Sequence, residues 1–68
     1  MVNSNKLRAK IIENGYNNQT LAPHLSITAY TLGQKISNDR TFNLDEANSL
    51  QSLLNMTNEE IISIFFNK

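Results

Sequence analysis

Apolar residues recur about every three to four positions along most of the chain, which is the spacing of amphipathic helices. No stretch alternates cleanly between apolar and polar residues, and β-branched residues do not cluster, so the pattern predicts no strand. The predicted helices run over about Ser4–Asn14, Asn18–Leu25, Ala29–Ser37, Asn43–Leu54 and Thr57–Phe66. The expected fold class is therefore all-α, with five helices in one compact domain.

Local signals mark the ends of these helices. Gly15 supplies the left-handed residue that stops the first helix, and Thr28 is placed to cap the third. Asn43–Glu46 and Thr57–Glu60 each have the spacing of a capping box at the start of a helix. The helix boundaries are thus predicted by signals that are independent of the apolar pattern.

The predicted core consists of the apolar residues that share the inner faces of these helices. They are Leu7, Ile11, Leu21, Leu25, Ile27, Leu32, Ile36, Phe42, Leu44, Leu50, Leu54, Met56, Ile61 and Phe65.

The second and third helical patterns are joined only by Ser26-Ile27-Thr28, and the small Ala22 lies where the two helices would cross. This is the spacing of a helix-turn-helix. It spans about residues 18–38 of a single domain that covers residues 1–68. Such a unit projects one exposed helix face whose width suits the DNA major groove.

Composition narrows the class of protein further. The chain has no Cys, so it cannot form disulfides or a thiolate metal site, and it is compatible with a reducing cytoplasm. No apolar run approaches the roughly 20 residues of a membrane span, and the first residues lack the apolar region of a secretory signal.

The net charge is zero, yet residues 1–40 carry +3 and residues 41–68 carry −3. The basic part contains the helix-turn-helix, as expected for a nucleic-acid contact, although ordinary solvated surface charge is the alternative.

The ordered set of these motifs resembles the repressor/Cro-type helix-turn-helix regulators of temperate phages. The matching segments are Asn5–Ile11, Leu21–Thr28, Thr31–Ile36, Arg40–Phe42, Leu44–Ala47 and Leu53–Thr57. The resemblance covers nearly the whole chain and implies a lambda-repressor-like fold. It also implies a DNA-binding transcriptional regulator that acts on an operator in double-stranded DNA, in the cytoplasm of a host bacterium.

The chain departs from the family pattern at three places. Ser26 stands where the family usually has a Gly with positive φ, which predicts a strained turn. Pro23 forfeits a backbone hydrogen bond inside the second helix, which favours a helix start near Thr20. Asn18, with Gln19 beside it, replaces a Gln that often reaches a phosphate in the family.

The helical spacing predicts which residues would contact DNA. With Leu32 and Ile36 facing inward, the candidates for base reading on the third helix are Ala29, Tyr30, Gly33, Gln34 and Ser37. The resemblance also places a base-reading Gln at the position of Gln34, and Gln can bond adenine through two hydrogen bonds. The candidates for the DNA backbone are Asn18, Gln19, Thr31, Lys35, Asn38 and Arg40. The cations Lys6, Arg8 and Lys10 form either a further backbone contact or a solvated face of the first helix.

The last helix carries more apolar surface than a small core needs. Ile62, Phe65 and Phe66 are therefore candidates for an interface, either with a second copy of the chain or with a partner phage repressor. The alternative is that they simply close the core.

No constellation of catalytic residues is present, and acidic residues at helix starts are explained by capping and by the helix dipole. His24 stands alone and has no partner for a metal site. We expect no enzyme activity, no cofactor, no metal, no membrane association and no small-molecule substrate.

The competing function is that of a modulator, or antirepressor, which binds a partner phage repressor and blocks its DNA-binding face. The neutral net charge, the missing Gln and the apolar last helix favour this alternative.

Overall fold

A computed structural model of the chain, described over residues 1–66, is helical with short connections and contains no strand in that range. The five α-helices are α1 (Ser4–Glu13), α2 (Asn18–Leu21), α3 (Ala29–Ile36), α4 (Leu44–Leu53) and α5 (Asn58–Phe65). A 3₁₀ segment, Ala22–Leu25, continues directly from α2. The predicted all-α domain of five helices is confirmed.

Every α-helix begins with a polar side chain that accepts a hydrogen bond from a backbone N–H three residues later. The caps are Asn3, Asn17, Thr28, Asn43 and Thr57. The predicted cap at Thr28 and the capping boxes at Asn43–Glu46 and Thr57–Glu60 are confirmed. Since a cap of this kind is worth about 1 kcal/mol, these local bonds are a substantial share of the stability of so short a chain.

Pro23 divides the predicted second helix in two. An α-helical residue at this position would donate its N–H to the carbonyl of Gln19, which Pro cannot do. The chain instead tightens to a 3₁₀ segment that has Pro23 in its first turn, where no such donor is required. The expected start near Thr20 is wrong, because Asn17 caps the helix and α2 begins at Asn18.

Left-handed residues end several of the helical segments. Gly15 follows α1 with φ +82°, as predicted. Ser26 follows the 3₁₀ segment with φ 58° and ψ 35°, so the strained turn expected at this position is confirmed. Next to Ser26, the N–H of Ile27 donates to the carbonyl of Ala22 at 3.2 Å, which closes the turn before α3. This turn sets the angle between the 3₁₀ segment and α3.

The core draws apolar side chains from all five helices. The residues buried in it are Val2, Leu7, Ile11, Leu21, Ala22, Leu32, Ile36, Leu50, Leu54, Met56, Ile64 and Phe65. Leu25, Ile27, Phe42 and Ile61, which were also predicted for the core, pack against it while remaining partly exposed.

One residue predicted for the core lies on the surface. Leu44 is 70% exposed. It is the first residue of α4, and it lies past the part of that helix where Leu50 packs into the core. Val2 and Ile64 were not predicted, yet both are buried. The N–H of Asn3 donates to the carbonyl of Ile64 at 2.8 Å, and this bond holds the N-terminal segment against α5.

None of the helices within residues 1–66 combines the length and the apolar character that crossing a membrane requires.

The difference between Leu44 and Leu50, two leucines of the same helix, is testable. Leu50→Ala is expected to lower the free energy of unfolding by about 2–5 kcal/mol, because it leaves a cavity in the core. Leu44→Ala should change it by no more than about 0.5 kcal/mol. Urea denaturation followed by circular dichroism measures both values, and equal losses for the two variants would contradict the assignment of Leu44 to the surface.

Candidate nucleic-acid interface

The outward face of α3 follows directly after the tight turn at Ser26. Leu32 and Ile36 are buried, so the opposite side of the helix faces away from the core. Tyr30 is 77% exposed and Ser37 is also exposed, whereas Gln34 is half-buried. Ala29 and Gly33, the other two candidates for base reading, are half-buried as well. These five residues lie on one helix and its C-cap.

Gly33 lies opposite the start of α2. A Cβ atom built on Gly33 would be 3.5 Å from Nδ2 of Asn18, an ordinary van der Waals distance. The fold therefore does not require glycine at this position for space. Asn18 therefore lies beside α3, and both Asn18 and its neighbour Gln19 are exposed.

Thr31 belongs to the capping interaction of α3. Its N–H donates to Oγ1 of Thr28 at 3.1 Å, and the two hydroxyls are 3.0 Å apart. The first turn of α3 is thereby held by bonds of its own, and the side chain of Thr31 is half-buried.

Lys35 is engaged within the domain and does not extend freely from α3. Its Nζ lies 2.6 Å from both carboxylate oxygens of Glu46, and the two side chains are only 11% and 8% exposed. Oε1 of Glu46 also accepts from the N–H of Asn43, so one carboxylate caps α4 and binds α3 at once. The expectation that Lys35 contacts a DNA phosphate is therefore not supported by its position, because its charge is already neutralised.

Asn38 has a structural function that the sequence pattern did not reveal. It ends α3 in a left-handed conformation with φ 67°. Its Oδ1 accepts from the N–H of Val2 at 2.8 Å, and its Nδ2 donates to the carbonyl of Val2 at 3.1 Å. The amide thus bonds both the N–H and the carbonyl of Val2. The side chain of Asn38, which was predicted to contact the DNA backbone, therefore already donates within the domain.

Arg40 remains exposed beyond the end of α3. Its N–H, like that of Asp39, donates to the carbonyl of Gln34, which keeps the start of the following loop close to the last turn of the helix. The backbone of Arg40 is therefore held near the last turn of α3.

The other basic residue with a clear ionic partner is Lys10. Its Nζ lies 3.0 Å from carboxylate oxygens of both Glu13 and Glu60. Hydrogen bonds to Glu13 and then to Glu60 raise the pKa of Lys10. Hydrogen bonds from the backbone of Thr57 and from Lys10 lower the pKa of Glu60. Both groups stay ionised at neutral pH, and the charge of Lys10 is balanced on the α5 side of the domain.

The three candidate interface residues of α5 separate into two groups. Phe65 is buried and packs edge-to-face on Phe42 with ring centroids 5.4 Å apart, so its assignment to an interface is wrong and its assignment to the core is confirmed. Ile62 and Phe66 are 60% and 66% exposed. They lie four residues apart on one face of the helix end, where side chains with this spacing are neighbours.

Phe66 also borders an open groove of about 600 Å³ that lies between the start of α4, the end of α5 and the N-terminal segment. Met1 and Leu44, both strongly exposed apolar residues, line the same groove. We refer to Ile62, Phe66, Leu44 and Met1 together as the α5 patch. Of the three interface residues predicted from the sequence, Ile62 and Phe66 belong to this patch, and the structure adds Leu44 and Met1.

Within residues 1–66, no three His, Asp or Glu side chains come together in a way that would hold a metal ion. His24 is exposed and packs edge-to-face against Tyr16, with ring centroids 5.6 Å apart.

Comparison with known proteins yields no match to this chain among family models, curated protein sequences or solved structures.

The buried ion pair between Lys35 and Glu46 provides a test of the α3–α4 contact. Lys35→Met is expected to lower the free energy of unfolding by about 3 kcal/mol, because a buried carboxylate is left without its partner. Lys10→Met removes a lysine from a more accessible pair and should have a much smaller effect. Denaturation of both variants at neutral pH measures the difference, and a loss at Lys10 that equals the loss at Lys35 would refute the structural importance of the buried pair.

Proposed function

We propose that the protein is a sequence-specific DNA-binding transcriptional regulator of the phage Cro/repressor type that acts on an operator in a bacterial host cell. The observation that carries this proposal is the succession of α2, a tight left-handed turn and α3, with Tyr30 and Ser37 exposed on the outward side of α3. In this proposal α2, the 3₁₀ segment and α3 are a helix-turn-helix, and α3 enters the major groove.

Side chains on this face have the chemistry that base edges require. Gln34 offers both a donor and an acceptor to adenine, and Tyr30 and Ala29 present apolar surface to a thymine methyl group. Gly33 leaves room for close approach, and Ser37 offers a hydroxyl at the end of the helix. Base reading is therefore proposed for Ala29, Tyr30, Gly33, Gln34 and Ser37.

Contacts to the DNA backbone are proposed for four polar residues around this face, of which Thr31 is half-buried and the other three are exposed. Asn18 and Gln19 lie in the first turn of α2, and Thr31 lies in the first turn of α3, where amides, hydroxyls and backbone N–H groups favour phosphate. Arg40 adds a positive charge at the other end of α3. Lys35 and Asn38 are left out of this set because both side chains are bonded within the domain.

The α5 patch supports association of two copies. Four exposed apolar side chains lie near one helix end, where a second copy could cover them, and a symmetric dimer would match a palindromic operator. The same patch also favours the second candidate function, a modulator that binds a partner phage repressor. This alternative gains support because Lys10 and Lys35 are each paired with carboxylates of the domain, which leaves few positive charges for DNA.

Gln34→Ala tests base reading. The variant is expected to fold normally and to lose about 1–3 kcal/mol of discrimination between the preferred site and base-substituted sites. The preferred site is first selected from random duplex DNA with the wild-type protein, and binding is then measured by fluorescence anisotropy. Asn48→Ala, which removes an exposed amide from α4, serves as the matched control. Unchanged base preference in Gln34→Ala would exclude this residue from reading, and failure of the wild-type protein to bind any duplex at low salt would favour the modulator.

Ile62→Asp and Phe66→Asp test the α5 patch. Each is expected to abolish association, because an unpaired carboxylate in an apolar contact is costly, while the helical content of the monomer is retained. Sedimentation and circular dichroism give the two readouts. Ile12→Asp, at a strongly exposed apolar position of α1, is the control and should leave association intact. Unfolding of either α5 variant as a monomer would show that these residues belong to the core.

A further inference from the structure

The three cations of α1 lie on two different sides of the helix. Nζ of Lys6 donates to Oγ of Ser63 at 2.6 Å, and Lys10 pairs with Glu60, so both lysines face α5. Arg8 lies about 200° around the helix from Lys6 and points the other way. Its Nη2 lies 3.4 Å from Oγ of Ser37, the C-cap residue of α3.

This contact leaves the charge of Arg8 uncompensated. Ser37 offers a neutral hydroxyl, and no carboxylate within residues 1–66 forms a salt bridge with the guanidinium. A guanidinium has five N–H donors in a planar fork, and this contact uses one of them. Arg8 is exposed, so the remaining donors are accessible to a ligand.

The position of Arg8 extends the outward face of α3. Ser37 follows Tyr30 by seven residues, so the two lie almost in line along the helix and about 10 Å apart along its axis. Contact with Ser37 places the guanidinium at the C-terminal end of that line. A helix C-terminus repels anions, since its unpaired carbonyl groups carry partial negative charge. A cation held beside this end of α3 offsets that partial charge and favours the approach of a phosphate.

We propose that Arg8 contacts a DNA phosphate beside the C-terminal end of α3, and that Ser37 positions its guanidinium for this contact. This inference rests on the proposed DNA-binding function. It assigns a phosphate contact to a residue outside the helix-turn-helix, and it separates Arg8 from its neighbours Lys6 and Lys10, which are directed towards α5.

The salt dependence of DNA affinity tests the contact. The probes are the duplex selected from random DNA and a scrambled duplex of the same composition. Arg8→Ala should reduce the slope of log K against log salt by about 0.9 per protomer. If the variant and the wild type bind equally at about 1 M salt, this change makes the variant bind about eightfold more weakly than the wild type at about 0.1 M salt. The loss should be the same for both duplexes, since a phosphate contact carries no sequence information.

Lys6→Ala is the matched control, because it removes the same charge from the same helix on the α5 side. It should leave the slope at the wild-type value, and Arg8→Lys should restore most of the slope lost in Arg8→Ala. Arg8→Gln provides a second neutral variant of similar length. Circular dichroism melting curves verify that each variant is folded, since a purely structural effect would lower the melting temperature without altering the slope.

Two outcomes would overturn the inference, and they are distinguishable. If wild-type protein binds DNA and Arg8→Ala keeps its slope, or loses no more than Lys6→Ala, only the contact at Arg8 is refuted. If the wild-type protein binds neither duplex at low salt, the proposed function fails together with the contact.

Discussion

Burial of Leu32 and Ile36 orients the helix on which the rest of the proposed interface depends. Both side chains are fully enclosed, and α3 contacts α1, α2 and the 3₁₀ segment around them. Once these two residues face inward, the helical repeat leaves Tyr30 and Ser37 on the outside. The left-handed turn at Ser26 then brings α3 into position directly after the 3₁₀ segment. A small core thus determines both the stability of the domain and the direction in which its polar surface points.

Polar side chains hold the periphery of this core where apolar contacts are scarce. Glu46 caps α4 and binds Lys35 of α3 with the same carboxylate. Asn38 holds the backbone of Val2 through both atoms of its amide. The Lys35–Glu46 and Asn38–Val2 bonds join different segments of the fold, so they restrict the arrangement of the helices more than their formation. The cost is that these side chains are no longer free to bind a ligand.

Two surfaces remain after the internal bonds are made, and they differ in chemistry. The α3 face is polar, and beside its C-terminal end lies Arg8, which has no salt bridge to a carboxylate within residues 1–66. The α5 patch is apolar and borders an open groove. A regulator that reads DNA as a pair of copies needs one surface of each kind. A protein that covers another regulator would use the apolar surface alone, which is why the two proposed functions diverge in their dependence on Gln34 and Arg8.

The sequence by itself determined the class of fold and most helix boundaries, because these depend on interactions between near neighbours. The caps at Thr28, Asn43 and Thr57 join residues three positions apart, and the apolar repeat assigns Leu32 and Ile36 to the core. Only the tertiary structure decided how the long polar side chains are used. Lys35 and Arg8 look alike in the sequence as exposed cations, yet one is buried against Glu46 and the other lies beside Ser37. Their partners are eleven and twenty-nine residues away, and no local pattern encodes a contact that forms only when the helices have packed.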